Sequence, residues 1–173
     1  MKTVVITGGG GYIGGQTAIY FKEQGWTVTA IDRNPIYDHL EPYIDNYIHA
    51  DFAEPTGLSF LHSADVAGSS LVGPSIKDPS VYYENNFIAT KRMLDYMVGN
   101  KLFPKIIFSS SAAVYGNPLM TPIREEDPKD PISPYGISKH MVEKLLETYN
   151  VAYGINYVGL RYFNAAGADP QGR

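Results

Sequence analysis

Tyr135 and Lys139 stand four residues apart, and together they could carry out acid–base chemistry. Ser133 and Pro134 precede them and predict a helix start, because serine is a good N-cap and proline fits the first turn. Residues four apart share one helix face. A free tyrosine has a pKa of about 10, and a nearby ammonium lowers it. We therefore predict that Tyr135 is a general base whose pKa is lowered by Lys139. In isolation, a surface tyrosine packed on a lysine stem would fit the same spacing.

A run of three serines, Ser109–Ser111, follows the predicted strand at residues 105–108. Parallel α/β sheets bind their ligands at the carboxyl ends of the strands. A serine hydroxyl at that place can position a substrate oxygen, although a turn or a helix cap would use the same residues. The position of this run favours the catalytic interpretation of the tyrosine and lysine.

The segment Thr7–Gly14 (TGGGGYIG) contains two overlapping dinucleotide-binding patterns, G-x-G-x-x-G and G-x-x-G-x-x-G. It lies between a predicted strand and a predicted helix, which is the context that the pattern needs. Glycines permit the tight turn and let the backbone approach a pyrophosphate, whose charge the helix N-terminus stabilises. The segment therefore predicts a dinucleotide site.

Asp32 ends the second predicted strand and indicates which dinucleotide is bound. A carboxylate at this position can bind both hydroxyls of the adenine-side ribose, and it would repel the 2′-phosphate of NADP. Arg33 follows directly and could hint at NADP, but we predict NAD. A flexible turn with a solvated aspartate is the alternative.

The elements that would position these residues alternate between strand and helix. Strands are predicted at residues 2–7, 26–31, 47–50, 105–108 and 156–163, and helices at 12–24, 80–100 and 133–152. Residues 33–46 and 116–131 are predicted loops. This order predicts a Rossmann-type, doubly wound α/β fold, a parallel sheet with helices on both faces.

The composition excludes several classes of protein. The 173 residues are 44% hydrophobic, which argues against disorder, and the absence of cysteine excludes disulfides and thiolate metal sites. A net charge of −4 without a basic cluster argues against a nucleic-acid partner. The apolar runs are too short to span a membrane, and no signal-peptide pattern is present. We expect a cytoplasmic protein with no metal site.

Five motifs together resemble the extended short-chain dehydrogenase/reductase family of NAD-dependent epimerases and dehydratases. In chain order they are Thr7–Gly14 (TGGGGYIG), Tyr82–Asn86 (YYENN), Phe108–Gly116 (FSSSAAVYG), Ser133–Lys139 (SPYGISK) and Leu160–Ala168 (LRYFNAAGA). The last motif is the most typical of the branch that epimerises UDP-hexoses at C4.

The resemblance implies a role for each matching position. The implied NAD-binding residues are Gly8, Gly11, Tyr12, Ile13, Gly14, Asp32, Asp51, Phe52, Asn86, Tyr135, Lys139 and Tyr162. The implied catalytic residues are Ser111, Tyr135 and Lys139, and the implied UDP-sugar contacts are Ser111, Tyr135 and Asn164.

The implied reaction is the interconversion of UDP-glucose and UDP-galactose. Tyr135 would take the proton of the sugar 4-hydroxyl while C4 passes a hydride to NAD. The 4-keto sugar would then turn over and receive the hydride on its other face. Relatives commonly pair through the helices that correspond to residues 82–100 and 133–152, which implies a homodimer.

Other readings of the same motifs stay open. A UDP-glucuronate epimerase or decarboxylase would share nearly all of them, whereas a non-catalytic NAD(P) sensor would usually lack the tyrosine–lysine pair. Dehydratases usually carry an acidic pair where Ala112 and Ala113 follow Ser111 here, so dehydration is disfavoured. Fucose-type epimerase/reductases use a cysteine, which this chain lacks.

Two departures from the family pattern lead to further expectations. Residues 57–66 read as a helix, so we expect the family's fourth strand to be absent, with about seven or more residues missing near 66/67. Family members also carry a carboxyl-terminal half that binds the uridine. We therefore expect residues 1–173 to form an incomplete NAD-binding Rossmann domain that lacks most of the substrate domain.

Overall fold

A computed structural model describes residues 2–59, 61, 64–66, 72–167, 169 and 171, with the backbone alone for 56, 64–66 and 72–74. Its centre is a parallel sheet with the strand order β3-β2-β1-β4-β5-β6. The strands are β1 (Thr3–Thr7), β2 (Thr27–Asp32), β3 (Asn46–His49), β4 (Ala64–Val66), β5 (Ile106–Ser111) and β6 (Tyr157–Tyr162). The predicted doubly wound α/β fold is confirmed.

Helices connect the strands. They are α1 (Tyr12–Glu23), α2 (Pro55–Leu58), α3 (Val72–Lys77), α4 (Pro79–Tyr82), α5 (Ala89–Gly99) and α6 (Pro134–Tyr153). A π-helical segment, Tyr83–Ile88, joins α4 to α5. The predicted helix at residues 80–100 is therefore continuous but not regular, because its middle part is π-helical. Among the described residues, no helix is long and apolar enough to cross a membrane.

The expectation that the fourth strand is absent is wrong. Ala64–Val66 forms β4, which pairs with β1 on one side and with β5 on the other. The strand has only three residues, too few for alternation to separate it from the end of a helix. The peptide between residues 66 and 67 lies outside the described residues, and a missing segment there stays a prediction.

The two faces of the sheet carry separate hydrophobic clusters, because successive strand residues point to opposite faces. On β1, Val5 packs in a cluster with Met93 of α5 and Leu146 of α6. The next residue, Ile6, packs on the other face with Ala18 of α1. The sheet is thereby held between layers of helices, and its carboxyl edge is left for ligands.

Two helical segments differ in how well the sequence predicted them. Helix α6 begins as expected, because the Ser133 hydroxyl accepts a hydrogen bond from Gly136 N at 3.1 Å. It ends at Gly154, which has a φ of 74°. The region at residues 33–46, predicted as loop, contains a 3-10 helix, Asp38–Tyr43. Leu40 in that helix is buried against α1, so the segment contacts the core. Its two prolines favour a loop, which is why the sequence did not predict this helix.

Candidate active site at the carboxyl edge of the sheet

The glycine loop between β1 and α1 is built from backbone contacts. Gly8 has a φ of 71°, in the left-handed region that favours glycine, and its N–H donates to the Ile31 carbonyl at 2.8 Å. Gly11 N donates back to the Gly8 carbonyl at 3.0 Å. A Cβ on Gly14 would overlap that same carbonyl oxygen, so only glycine fits there. Because the backbone of Gly14 packs closely on that of Gly8, α1 can begin immediately after the turn.

The first turn of α1 faces outward. Tyr12 and Ile13 are both exposed, and no side chain caps this helix start, whose N-cap is Gly11. Free N–H groups at the start of a helix attract an anion. The Tyr12 hydroxyl donates to the Gly167 carbonyl at 2.8 Å, which ties this turn to the segment that follows β6.

The Asp32 carboxylate at the end of β2 is oriented by two backbone amides. Its Oδ2 accepts from Gly10 N at 3.0 Å, and its Oδ1 accepts from Asn34 N at 2.9 Å. Asp32 is therefore tied to the glycine loop through Gly10. An oriented acid beside a loop with no side chains fits the ribose and pyrophosphate of NAD.

Asp51 and Phe52 stand beside Asp32 in one cavity, where the adenine side of a dinucleotide would lie. The cavity is lined by Gly8, Ile31, Asp32, Arg33, Asn34, Ala50, Asp51, Phe52, Asn85 and Ala89. Arg33 Nη1 lies 3.6 Å from the Asp51 carboxylate and donates to Asn85 Oδ1 at 3.4 Å. The family resemblance implies its neighbour Asn86 as an NAD-binding residue, and only the structure shows that Asn85 lines this cavity.

Asn86 is buried and has a different partner. Its side-chain amide donates to the Ser138 hydroxyl at 2.9 Å, and that hydroxyl donates to the Tyr135 carbonyl at 2.8 Å. Asn86 thus connects the π-helical segment to α6 beside the tyrosine. Asn86 therefore contacts Tyr135 only indirectly in this network, through Ser138.

Tyr135 and Ser111 meet at the carboxyl ends of β5 and the start of α6. Tyr135 is buried, its N–H donates to the Ser75 hydroxyl at 3.2 Å, and its ring meets the Tyr82 ring edge-on at 6.3 Å. Burial raises the pKa of the Tyr135 hydroxyl, the hydrogen bond with Ser111 lowers it, and Tyr82 raises it, so that the pKa lies above its usual value. Ser111 also caps the 3-10 helix Ala112–Tyr115 by accepting from Ala113 N at 3.2 Å.

Lys139 lies one turn after Tyr135, as the spacing predicts, and is buried. Its ammonium donates to the Ser109 carbonyl at 2.9 Å and lies 5.1 Å from the Phe108 ring centre and 5.8 Å from that of Tyr135. The prediction that Lys139 lowers the pKa of Tyr135 is wrong for this structure. Burial dominates that pKa, and Ser111 supplies the lowering hydrogen bond.

Tyr162 and Asn164 follow on the neighbouring strand. Tyr162 ends β6 and stands opposite Ser111 in the register of β5 and β6, which places it at the same edge. Asn164 is exposed two residues further on. The described residues contain no group of three or more histidine, cysteine, aspartate or glutamate side chains that could hold a metal ion.

The site has three parts: a glycine-rich strand–turn–helix, an acid at the end of the second strand, and a Ser–Tyr–Lys set at the sheet edge. Together they define a class of protein, the Rossmann-type proteins with a dinucleotide site beside a candidate catalytic set. The sequence model of the NAD dependent epimerase/dehydratase family matches residues 4–173, and the chain belongs to that family. The NAD dependence expected from the glycine loop and Asp32 is confirmed at the level of the family.

Individual relatives indicate a more specific activity than the family model does. The chain is 44% identical to the UDP-glucose 4-epimerase of Halalkalibacterium halodurans, an alignment that covers 98% of this chain and 53% of the relative. Its fold is similar to the crystal structure of UDP-glucose 4-epimerase from Brucella ovis in complex with NAD. The TM-score is 0.90 at 36% identity, covering 98% of this chain and 54% of that one.

A second solved structure, UDP-glucose 4-epimerase from Bifidobacterium longum in complex with NAD+ and UDP, gives a TM-score of 0.90 at 33% identity. It covers 98% of this chain and 56% of that one. The chain thus spans about half the length of the relatives that it matches.

Proposed function

We propose that the whole protein is an NAD-dependent epimerase that inverts C4 of a UDP-hexose and interconverts UDP-glucose and UDP-galactose. The observation that carries this proposal is the buried Tyr135, which lies at the sheet edge with Ser111, a residue that lowers the pKa of its hydroxyl. This pair stands at the same edge as the glycine loop. Relatives of the same family that are UDP-glucose 4-epimerases add support.

The nucleotide-binding residues would hold NAD along the sheet edge. The start of α1 and the loop from Gly8 to Gly14 would take the pyrophosphate, with Tyr12 and Ile13 flanking it in the first turn. Asp32 would bind the adenosine ribose, and Asp51 and Phe52 would flank the adenine. When bound, NAD supplies the acceptor and donor for the hydride.

The catalytic residues would handle the proton and hold the sugar. Tyr135 would accept the proton of the 4-hydroxyl and return it, while Ser111 holds the same oxygen. The Lys139 ammonium donates to the Ser109 carbonyl, and we propose that it also binds the ribose next to the nicotinamide. The proposed role of Lys139 is therefore to bind the cofactor and to hold β5 through Ser109.

Three further residues complete the proposed site. Tyr162 would lie beside the nicotinamide, because it stands opposite Ser111. Asn164 would contact the phosphates of the UDP-sugar from its exposed position after β6. Asn86 would act behind the cofactor site through its hydrogen bond to Ser138.

The proposal competes with a sensor that binds NAD(P) without turnover. A sensor has no need of a buried tyrosine whose pKa is lowered by a neighbouring serine, and Tyr135 and Ser111 form such a pair here. The described residues also place Ala112 and Ala113 directly after Ser111, where a dehydratase would need an acid.

A Tyr135→Phe substitution in the full-length protein tests the proposed base. We expect the turnover of UDP-glucose and UDP-galactose to fall about 100- to 10,000-fold, because general-base catalysis contributes that range. NAD content should be unchanged. The matched control is Tyr153→Phe at the exposed end of α6, which should keep full turnover. Full activity of the Tyr135→Phe protein would rule out the assigned base.

The same assay with other UDP-sugars tests the substrate. UDP-glucuronate and N-acetylated UDP-hexoses are compared with UDP-glucose under identical conditions. Preferred epimerisation or decarboxylation of UDP-glucuronate would replace the proposed substrate. Tight NAD binding with no turnover of any sugar would support the sensor instead.

We further propose a cytoplasmic homodimer that acts in galactose metabolism. Its support is the family resemblance, in which the helices corresponding to α5 and α6 pair between subunits. Light scattering of the full-length protein should give the mass of two chains, and a single-chain mass would contradict the dimer.

A further inference from the structure

Glu143 is a largely buried acid on α6 that the proposed mechanism does not use. It follows Lys139 by four residues and Tyr135 by eight, so the three side chains lie along one face of the helix. Its side chain is only 12% exposed. A buried carboxylate is costly unless its oxygens are hydrogen-bonded, so its partners show what it does.

The partners of Glu143 come from the two strands that end at the site. Ser110 Oγ donates to Glu143 Oε1 at 2.5 Å. Arg161 donates from Nε to Oε1 and from Nη2 to Oε2, both at 2.9 Å, in a two-pronged ion pair. One carboxylate therefore joins β5, β6 and α6.

The strand register makes this junction adjacent to the catalytic set. Ser110 is paired with Arg161 across β5 and β6, and the next pair toward the carboxyl edge is Ser111 with Tyr162. β5 and β6 thus each carry a proposed site residue immediately beyond the junction, and α6 carries Lys139 one turn before Glu143.

The junction is charged and its donors are occupied. Burial raises the pKa of Glu143, but the hydrogen bonds from Arg161 and Ser110 outweigh it and lower the pKa overall. The remaining Arg161 nitrogen, Nη1, donates to the Tyr115 hydroxyl at 2.7 Å and to the Glu125 carbonyl at 3.1 Å. The His140 ring lies 3.8 Å from Glu143 Oε2.

We propose that Glu143 is a positioning residue, whose ion pair with Arg161 and hydrogen bond from Ser110 set the separation of Ser111 on β5 from Tyr135 on α6. Its effect on turnover rests on the proposed function, while its effect on Tyr135 does not. Misplacement of reacting groups by about 1 Å can cost on the order of 100-fold in rate, so a loosened junction should lower turnover.

The test is Glu143→Gln in the full-length protein, because the amide keeps the shape but turns an N–H₂ toward donors. We expect kcat to fall about 10- to 100-fold while KM and NAD content change by less than about twofold. The matched control is Glu147→Gln, one turn later on the same helix, where the exposed carboxylate pairs only with Lys144 among the described residues. The control should keep kcat.

A second readout follows Tyr135 itself. With ¹³C-labelled tyrosine and Tyr135→Phe to assign the signal, Glu143→Gln should move the Tyr135 resonance and raise its pKa. The reason is that the Ser111 hydrogen bond that lowers this pKa is weakened. Glu147→Gln should leave the resonance in place. If Glu143→Gln does not fold, Ser110→Ala removes one donor and must move the same signal.

The outcomes separate the two proposals. A full-length protein that turns over no UDP-hexose, but whose Tyr135 signal moves in Glu143→Gln, ends the proposed function and keeps the positioning role. An unmoved Tyr135 signal overturns the positioning role whatever the activity. A fall in kcat that only follows lost NAD also overturns it, because the role would then be general stability.

Discussion

The two ends of the site are built by opposite means. At the nucleotide-binding end, formed by β1, the glycine loop and β2, backbone groups bond to backbone groups, as in Gly8 N to the Ile31 carbonyl. At the catalytic end, formed by β5, α6 and β6, side chains bond across elements, as in Ser110 to Glu143. The loop of the first end depends on glycines that let backbone pack on backbone, with the Asp32 carboxylate bonded to Gly10 N. The second end depends on bonds between side chains of different elements.

This difference determines how each end fails. Adding one carbon disrupts a surface where backbones touch, because no rotamer can relieve the overlap. Removing one hydroxyl or charge disrupts a network of side chains, because the partner is left unsatisfied. Substitutions of both kinds can therefore damage one end and spare the other.

Gly14→Ala should have the largest effect at the nucleotide-binding end. Its Cβ would overlap the Gly8 carbonyl, so the loop must shift and lose its shape for the pyrophosphate. Strain of about 1–3 kcal/mol corresponds to a loss of NAD affinity of about 10- to 100-fold. Calorimetric titration of the NAD-free, full-length protein with NAD measures this, and the Tyr135 resonance should stay in place.

The control for that substitution is Gly99→Ala at the end of α5, where a Cβ would meet no other atom within 4 Å. It should bind NAD like the unchanged protein. Normal NAD affinity in Gly14→Ala would show that the loop can reshape, and would remove the contrast between the two ends.

Ser111→Ala should affect the catalytic end alone. Because the Ser111 hydrogen bond lowers the pKa of Tyr135, its loss raises that pKa further above the usual value. A base works when deprotonated, so at neutral pH less of it is active. We expect kcat to fall about 10- to 100-fold, and the rise of kcat with pH to move to higher pH.

NAD affinity should change by less than about twofold in Ser111→Ala, since no bond to the glycine loop is lost. Ser80→Ala on the exposed surface of α4 is the control and should keep the pH profile. A profile that stays in place in Ser111→Ala would mean that the serine does not tune Tyr135.

The sequence predicted the nucleotide-binding end well because that end is local. A strand, four loop residues and a helix contain the whole turn, and Asp32 reaches it through the adjacent strand. The Tyr135–Lys139 pair was also predictable, since one helix sets its spacing. In both cases the residues that meet are close in sequence or in neighbouring elements.

The remainder of the catalytic end required the fold. Ser110 and Glu143 are 33 residues apart and Glu143 and Arg161 are 18 apart, and the β5–β6 register together with the packing of α6 on these strands brings them together. The pKa of Tyr135 could not be predicted either, because it depends on burial beside Tyr82. The strand β4 could not be predicted, because three residues are too few to show the alternation of a strand.

The smallest predicted effect concerns a side-chain contact within the nucleotide-binding half, away from the site. Asp45 accepts from Lys22 Nζ at 2.5 Å and from Val28 N at 2.8 Å, near the amino end of β2. These two hydrogen bonds, with Lys22 the larger cause, lower the pKa of Asp45. A carboxyl whose pKa is lower in the folded state stabilises the fold above its unfolded pKa, and this contribution is lost as the pH falls through the folded pKa.

Asp45→Asn should therefore lower the free energy of unfolding at neutral pH by about 0.5 kcal/mol, a small figure because solvent screens this pair, whose side chains are 35% and 31% exposed. The difference from the unchanged protein should vanish in acid, where Asp45 is protonated in both states. Urea unfolding at the two pH values measures both. NAD affinity should be unaltered, since the contact lies at the opposite end of β2 from Asp32. Weakened NAD binding would mean that the backbone-built end also depends on a distant side chain.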